Sequence, residues 1–459
     1  VAERLFGTDG VRGRAGEFLT AELAVGIARA AVARLNARRP QVLIVRDTRE
    51  SGQMLEAALA AGVSAAGGDA LLAGVLPTPA APLLVRRHGL AMAAVISASH
   101  NPYPDNGIKL FGADGFKLDD RTELEIEASL ARSALAGGPT ATGGPTAAAR
   151  PIGRVRRLHG ALEDYLRELH GRFGELRLGG LRVALDCANG ATHRAAPEIF
   201  RRLGATVDVI ADRPDGRNIN DGCGSTNIQA LRAHVLAGGH DLGFAFDGDG
   251  DRVLAVDGDG TVVDGDELLA LAALHLRARR RLPGDGVVVT VMSNFGFHSA
   301  MARAGIHVAT TAVGDRHVLE ELRRRGWALG GEQSGHIIEL GFGPSGDGIA
   351  TALLTLEALD GRDLRERDAM TRLPQRLVNV RATDRAALAA AIDHHELRQA
   401  IERESAGLQG RGRVLVRSSG TEPLIRVMVE APTLEETDAI CGRLAAVAER
   451  TLRAVSPSV

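Results

Sequence analysis

Three aspartates alternate with glycine in Phe246-Asp247-Gly248-Asp249-Gly250-Asp251-Arg252, directly after an apolar run. Aspartate is short and glycine lets the backbone wrap closely, so three carboxylates can converge on one hard cation such as Mg²⁺. Without a cation such a cluster repels itself. An EF-hand is excluded, because Arg252 stands where that loop needs glycine and Gly258 where it needs its last glutamate. The neighbouring Asp257-Gly258-Asp259-Gly260 falls between two apolar runs and reads as a hairpin turn.

A second segment is Ile96-Ser97-Ala98-Ser99-His100-Asn101-Pro102, which continues as a polar loop through Asp105-Asn106-Gly107-Ile108-Lys109. Ser99 at the end of a strand has the position of a nucleophile, with His100 and Lys109 as base or charge stabiliser. Taken alone, the segment reads as a turn tied down by its hydroxyls. It lacks the G-x-S-x-G elbow of acyl-transfer hydrolases. A third, Gly330-Gly331-Glu332-Gln333-Ser334-Gly335-His336, brackets a carboxylate, an amide, a hydroxyl and an imidazole with glycines. Such a set can hydrogen-bond sugar hydroxyls or pair with an ammonium; a polar loop with a satisfied histidine is the plainer alternative. The fourth, Val416-Arg417-Ser418-Ser419-Gly420-Thr421-Glu422-Pro423 with Arg426 beyond, fits a phosphate nest. No Gly-Lys-Ser/Thr of a Walker A loop is present.

The elements that must position these motifs are short β-branched runs alternating with Ala/Leu/Arg-rich helical stretches. Strands are predicted at Val42–Arg46, Ala93–Ser97, Arg182–Asp186, Thr206–Ile210, Asp241–Phe246, Val287–Met292 and His307–Thr311, which implies parallel or mixed α/β sheets with binding groups at their carboxyl ends. The C-terminal part reads as a small α+β domain, with strands Leu377–Arg381, Arg413–Arg417 and Leu424–Glu430 and helices Ala386–Ala406 and Leu434–Ala454. Thr371–Pro374 is a hinge, and the Gly/Pro/Thr tract Gly137–Thr146 an exposed loop.

The chain has 459 residues, too many for one core, with a net charge of -2 and 3% aromatics. Bulk binding to nucleic acid or to an acidic membrane is disfavoured. Cys187, Cys223 and Cys441 are odd in number and lack CxxC spacing, as in a reducing, cytoplasmic setting without a structural zinc. Of 55 Lys+Arg only two are lysines, Lys109 and Lys117. Where arginine serves every ordinary positive charge, a surviving lysine marks a place for a compact ammonium.

With Phe6-Gly7-Thr8-Asp9-Gly10-Val11-Arg12-Gly13, Asp186-Cys187-Ala188-Asn189-Gly190-Ala191-Thr192 and Gly314-Asp315-Arg316, the four motifs make nearly the whole chain resemble the α-D-phosphohexomutases. Gln333 and Phe6–Gly13 are most similar to the branch that interconverts glucosamine 6-phosphate and glucosamine 1-phosphate, on the bacterial route to UDP-N-acetylglucosamine and cell-wall precursors. The resemblance implies an α/β protein of four domains: 1–153, 154–255 and 256–371, which are related α/β units with mixed sheets, and a C-terminal α+β domain, 372–459, that rotates over a cleft. It implies that Ser99 is the phosphoserine and that Asp247, Asp249 and Asp251 hold one Mg²⁺ per subunit with a phosphoserine oxygen. Lys109 and His100 would serve proton transfer and charge stabilisation, and Arg12 and Arg252 would face the phosphoryl group and the sugar. Glu332, Ser334 and His336 would contact the sugar, and Arg417, Ser419, Gly420, Thr421 and Arg426 the other phosphate. Glucosamine 1,6-bisphosphate would be intermediate and activator, a homodimer the assembly, and a kinase or autophosphorylation the source of the first phosphate. Lys117 lies in what resembles a structural stretch. Two departures, Ser345 for a common threonine and Ser418 at a variable position, leave the matched ligands intact. The competing readings are a phosphomannomutase/phosphoglucomutase, a metal-dependent sugar-phosphate phosphatase and a non-catalytic binding protein.

Overall fold

A computed structural model describes residues 4–7, 9–135, 151–419 and 423–455. The tract Gly137–Thr146 lies outside them. The chain divides into two compact units: residues 1–292 with 307–367, and residues 293–306 with 368–459.

The first unit holds three mixed sheets built on one plan. In the first sheet, β1 (Val11–Arg14), β2 (Gln41–Arg46), β3 (Asp69–Val75), β4 (Met92–Ile96), β5 (Asp105–Gly112) and β6 (Val155–Arg157) take the order β1-β5-β4-β2-β3-β6. The second has the order β11-β10-β9-β7-β8, from β7 (Arg182–Asp186), β8 (Thr206–Ile210), β9 (Leu242–Phe246), β10 (Val253–Asp257) and β11 (Val262–Val263). The third has the order β13-β12-β14-β15, from β12 (Gly286–Thr290), β13 (His307–Thr311), β14 (Leu329–Gly331) and β15 (Ile337–Glu339). Each contains a parallel trio (β3-β2-β4, β8-β7-β9, β13-β12-β14), extended in the first sheet by a fourth parallel strand, β6, and the last of each trio pairs antiparallel with the next strand in sequence (β5, β10, β15).

That shared step from parallel to antiparallel is where three of the four motifs lie. Ser99 lies between β4 and β5, Asp247–Arg252 between β9 and β10, and Glu332–His336 between β14 and β15. β4 and β9 are buried at every residue, as their apolar runs require. Asp257–Gly260 closes the β10–β11 hairpin.

The second unit carries β16 (Gln375–Arg381), β17 (Arg413–Ser418) and β18 (Leu424–Glu430), antiparallel in the order β16-β18-β17. The helix Leu434–Val455 packs on this sheet through Ile440, Leu444 and Ala448. The single helix expected over Ala386–Ala406 is two, Arg385–Ile392 and His395–Leu408. The break falls at Asp393-His394, where the His394 ring caps the second helix by accepting from the Glu396 N–H. Among the described residues no helix is long and apolar enough to cross a membrane, and the three cysteines are buried and form no disulfide.

Candidate active site

Ser99 and the aspartate loop come from two different sheets and meet. The Ser99 hydroxyl donates to Asp247 Oδ2 at 2.5 Å, and His100 Nδ1 lies 3.4 Å from Ser99 Oγ. The reading of the segment as a turn tied down by its hydroxyls is met by Ser97. Ser97 does the structural work: its hydroxyl donates to Asp47 and accepts from the Ser99 N–H. Ser99 sits at φ +51°, in the left-handed region. That conformation is uncommon for a residue with a Cβ and needs outside support.

The aspartate loop folds tightly against the serine loop. A Cβ on Gly248 would come within 2.7 Å of the Ser99 carbonyl oxygen, so only glycine permits this approach. The ligand oxygens of Asp247, Asp249 and Asp251 lie within 4.8 Å of one another, and all three side chains are buried. Asp249 Oδ2 accepts from Thr78 at 2.6 Å and from the Lys109 ammonium at 2.9 Å. One oxygen of Asp249 and one of Asp251, Oδ1 in each, are buried and find no hydrogen-bond partner. Burial, then repulsion from Asp251 and Asp249, pushes the Asp247 carboxyl well above its usual range. An all-oxygen donor set with two orphaned atoms and a self-repelling member fits a hard divalent cation.

Lys109 belongs to β5, not to a loop: it pairs with Val95 of β4. Its ammonium is buried 3.5 Å from Asp251 and Asp9 as well as contacting Asp249. Burial works to lower its pKa, but Asp249 and Asp251 overcome it and the net shift is upward. The carboxylates favour its charged form. His100 is the opposite case. Burial, then the guanidiniums of Arg252 and Arg12, lower its pKa to about 4, so it is a neutral imidazole at pH 7. Arg12 pairs with Asp9, and the Nε atoms of Arg12 and Arg252 are buried without hydrogen-bond partners. These two cations flank the serine loop with unspent donors.

Residues 332–336 form the turn between β14 and β15. Glu332 accepts from the Gly314 N–H at 3.0 Å, and Ser334 Oγ is buried without a hydrogen-bond partner. Gln333 donates to Asp264 at 3.3 Å. His336 turns inward: its Nε2 accepts from the Gly346 N–H, and its Nδ1 lies 3.6 Å from Asp251. Both ring nitrogens of His336 thus face protein groups.

In the second unit, Arg417 of β17 stands directly opposite Arg426 of β18. Like charges opposed across a ladder destabilise it unless an anion joins them, and the Arg426 Nε is buried with no hydrogen-bond partner. The Ser419 N–H closes the hairpin by donating to Leu424 O. Gly420 and Thr421 lie outside the described residues.

Four models of phosphoglucomutase/phosphomannomutase match in succession: alpha/beta/alpha domain I at residues 3–136, domain II at 163–260, domain III at 264–377 and the C-terminal domain at 377–447. A phosphoglucosamine mutase from Pelotomaculum thermopropionicum is 50% identical over 445 residues, 96% of this chain and 98% of that one. The chain belongs to the phosphoglucosamine mutase family. A phosphoglucomutase/phosphomannomutase family protein from Burkholderia thailandensis shares the fold with a TM-score of 0.78 at 24% identity, covering 100% of this chain and 99% of that one. The N-acetylphosphoglucosamine mutase of Aspergillus fumigatus, solved with GlcNAc-6P and magnesium, has a TM-score of 0.63 at 17% identity and covers 97% and 96%.

This family member also uses residues that motif reading missed. Arg49, fully buried, donates to the carbonyls of Ser99, Asn101 and Pro102 and to Asp47 Oδ2. Asn220 donates to the Ser99 and Asn101 carbonyls as well. Together they hold the serine loop in its left-handed turn. Lys117 contacts Asp9 at 2.6 Å and Asp315 at 2.5 Å, so it joins the charge network around Lys109 and is no bystander. Arg49→Met is expected to strand Asp47 and three carbonyls, costing about 3–5 kcal/mol of stability and lowering kcat on the order of 10²-fold by shifting Ser99. Denaturant unfolding and steady-state turnover measure both, and unchanged kcat would remove Arg49 from the positioning role.

Proposed function

We propose that this protein interconverts glucosamine 6-phosphate and glucosamine 1-phosphate through a phosphorylated Ser99 and a glucosamine 1,6-bisphosphate intermediate. The observation that carries the reading is the Ser99 hydroxyl bonded to the first of three buried carboxylates, with a buried lysine on the second. Family membership supports the sugar phosphate as substrate.

Asp247, Asp249 and Asp251 would hold Mg²⁺ together with an oxygen of the phosphorylated Ser99. Bound there, the ion neutralises carboxylate and phosphate charge and draws electron density from phosphorus. The remaining work falls to the chain's own groups. A sugar hydroxyl oxygen forms a bond to phosphorus while the bond from phosphorus to Ser99 Oγ breaks. The hydroxyl proton has a neutral acceptor in His100 Nδ1, and Lys109 stabilises charge gathering on the transferring group. Arg12 and Arg252 bring guanidinium donors to the phosphoryl oxygens. Glu332, Gln333 and Ser334 read the amino sugar, and Arg417, Ser419 and Arg426 hold the phosphate that does not react. The bisphosphate then turns over and returns its other phosphate to Ser99, so a clamp indifferent to ring orientation suits the task.

The test is kcat/KM on glucosamine, glucose and mannose phosphates with the phosphorylated enzyme. Glucosamine is expected to lead by about 10²-fold, the scale at which an unpaired buried polar group discriminates. A lead for glucose or mannose would move the assignment to that branch, and steady release of inorganic phosphate would make the protein a phosphatase. Chelation is expected to abolish turnover and Mg²⁺ to restore it. Full activity in excess chelator would leave the aspartate cluster without its metal role.

A further inference from the structure

A second group of metal-ligating side chains lies elsewhere in the same sheet as the aspartate loop. Asp208, His234 and His240 each offer a ligand atom, all within 4.8 Å of one another. His234 Nε2 lies 2.9 Å and His240 Nε2 3.4 Å from the same oxygen, Asp208 Oδ2. The two imidazoles stack at 5.1 Å with an angle of 26° between rings.

The elements make this convergence specific. Asp208 is the middle residue of β8, the edge strand, and is in register with Ala184 of β7, itself opposite Gly243 of β9. Paired residues of neighbouring strands share a face. Ala184 packs against Leu231 and Val235 of the helix Gln229–Gly238, so Asp208 is a carboxylate on the helix-covered face. His234 lies on that helix and His240 just past its end. A Cβ on Gly238 would meet the His240 ring at 2.2 Å, so the helix ends on a residue that leaves the ring its place. The His240 side chain is only 5% exposed, and its Nδ1 finds no hydrogen-bond partner. Apolar packing does not account for a buried imidazole with a single polar contact.

We propose that Asp208, His234 and His240 form a second cation site, selective for Zn²⁺-class ions and independent of the aspartate triad. Two imidazole nitrogens and one carboxylate oxygen are a borderline donor set that prefers Zn²⁺ or Co²⁺ to Mg²⁺. Asp208 and His234 are partly open to solvent, which leaves the remaining coordination position to water. His240 precedes β9 and Asp247 follows it, so the strand separates the two sites by roughly 20 Å at about 3.3 Å per residue. An ion here ties the end of the helix to the unpaired edge strand, and so stabilises this part of the fold without entering the reaction.

The experiment uses the whole protein, stripped with chelator and returned to excess Mg²⁺ so that the triad is saturated, then titrated with Co²⁺. The wild type is expected to bind one equivalent with the visible absorption of a low-coordinate, imidazole-bearing cobalt site, and Zn²⁺ should displace it and raise the melting temperature. His234→Gln and the isosteric Asp208→Asn should each lose that equivalent, the absorption and the Zn²⁺-dependent melting shift, with Mg²⁺-supported turnover unchanged. No such absorption in the wild type, or the same absorption in both variants, would overturn the site.

Discussion

Ser99→Ala is expected to abolish turnover, by on the order of 10⁴-fold or more, the scale on which loss of a covalent nucleophile is felt, while the protein stays folded. The two halves of that expectation rest on different atoms. The Ser99 side chain reaches only Asp247 and His100 through Oγ. The loop is held through backbone groups instead: Arg49 and Asn220 grip the Ser99 carbonyl, and Ser97 accepts from the Ser99 N–H. Alanine keeps all of these contacts. The left-handed backbone at this position is a strain that serine already bears, so alanine adds little. Mutase assay, thermal melting and intact mass together settle the matter. The wild type should carry phosphate on Ser99 and the variant none. Turnover at the normal rate, or a phosphate adduct on another residue of the variant, would sink the phosphoserine assignment.

Much of this site was legible because its chemistry lies on contiguous stretches. The buried runs of β4 and β9 end on polar loops. The short β-branched runs of β7, β8, β13 and β18 match their predicted strands residue for residue. β5 was illegible for a physical reason. Asp105-Asn106-Gly107 has turn composition, yet Asn106 is buried, donates to Ser51 and accepts from the Gly107 N–H. A Cβ on Gly107 would meet the Ser97 carbonyl oxygen at 2.5 Å, so glycine here serves close packing of strand on loop. Tertiary pairing with β4 and β1 overrides the local propensity. Arg49 and Asn220 act across 50 and 121 residues of sequence, and in an arginine-rich chain one more arginine carries no signal. Its one clue was position: Asp47-Thr48-Arg49 follows β2 at the carboxyl end of a central parallel strand, where such sheets place binding groups.

Lys109→Met is expected to lower kcat by about 10²–10³-fold, the usual cost of removing one preorganised electrostatic group, and yet to tighten Mg²⁺ binding. The two effects point in opposite directions, and that opposition is the test. Lys109 sits among Asp249, Asp251 and Asp9 with its ammonium buried. Its charge is not given up, since the carboxylates hold its pKa above the ordinary value. In the charge-stabilising role proposed for it, the lysine acts through its positive charge. Removing it leaves Asp249 and Asp251 less neutralised, at a cost of about 3–5 kcal/mol in the metal-free protein. A cation bound by those oxygens relieves that cost, and its affinity rises accordingly. A merely structural lysine would lower stability, kcat and Mg²⁺ affinity together. Lys109→Arg keeps the charge but not the shape, since a planar guanidinium cannot occupy the compact space between three carboxylates. It should therefore retain near-normal Mg²⁺ affinity with severely impaired kcat. Near-wild-type kcat in Lys109→Met, or weaker Mg²⁺ binding in that variant, would remove the electrostatic role. The same reasoning explains why the two lysines stand together. Asp9 lies between them, 3.5 Å from Lys109 and 2.6 Å from Lys117, and Asp315 lies beyond Lys117. In a chain that otherwise uses arginine for positive charge, the two compact ammonium groups occur where buried carboxylates crowd closest.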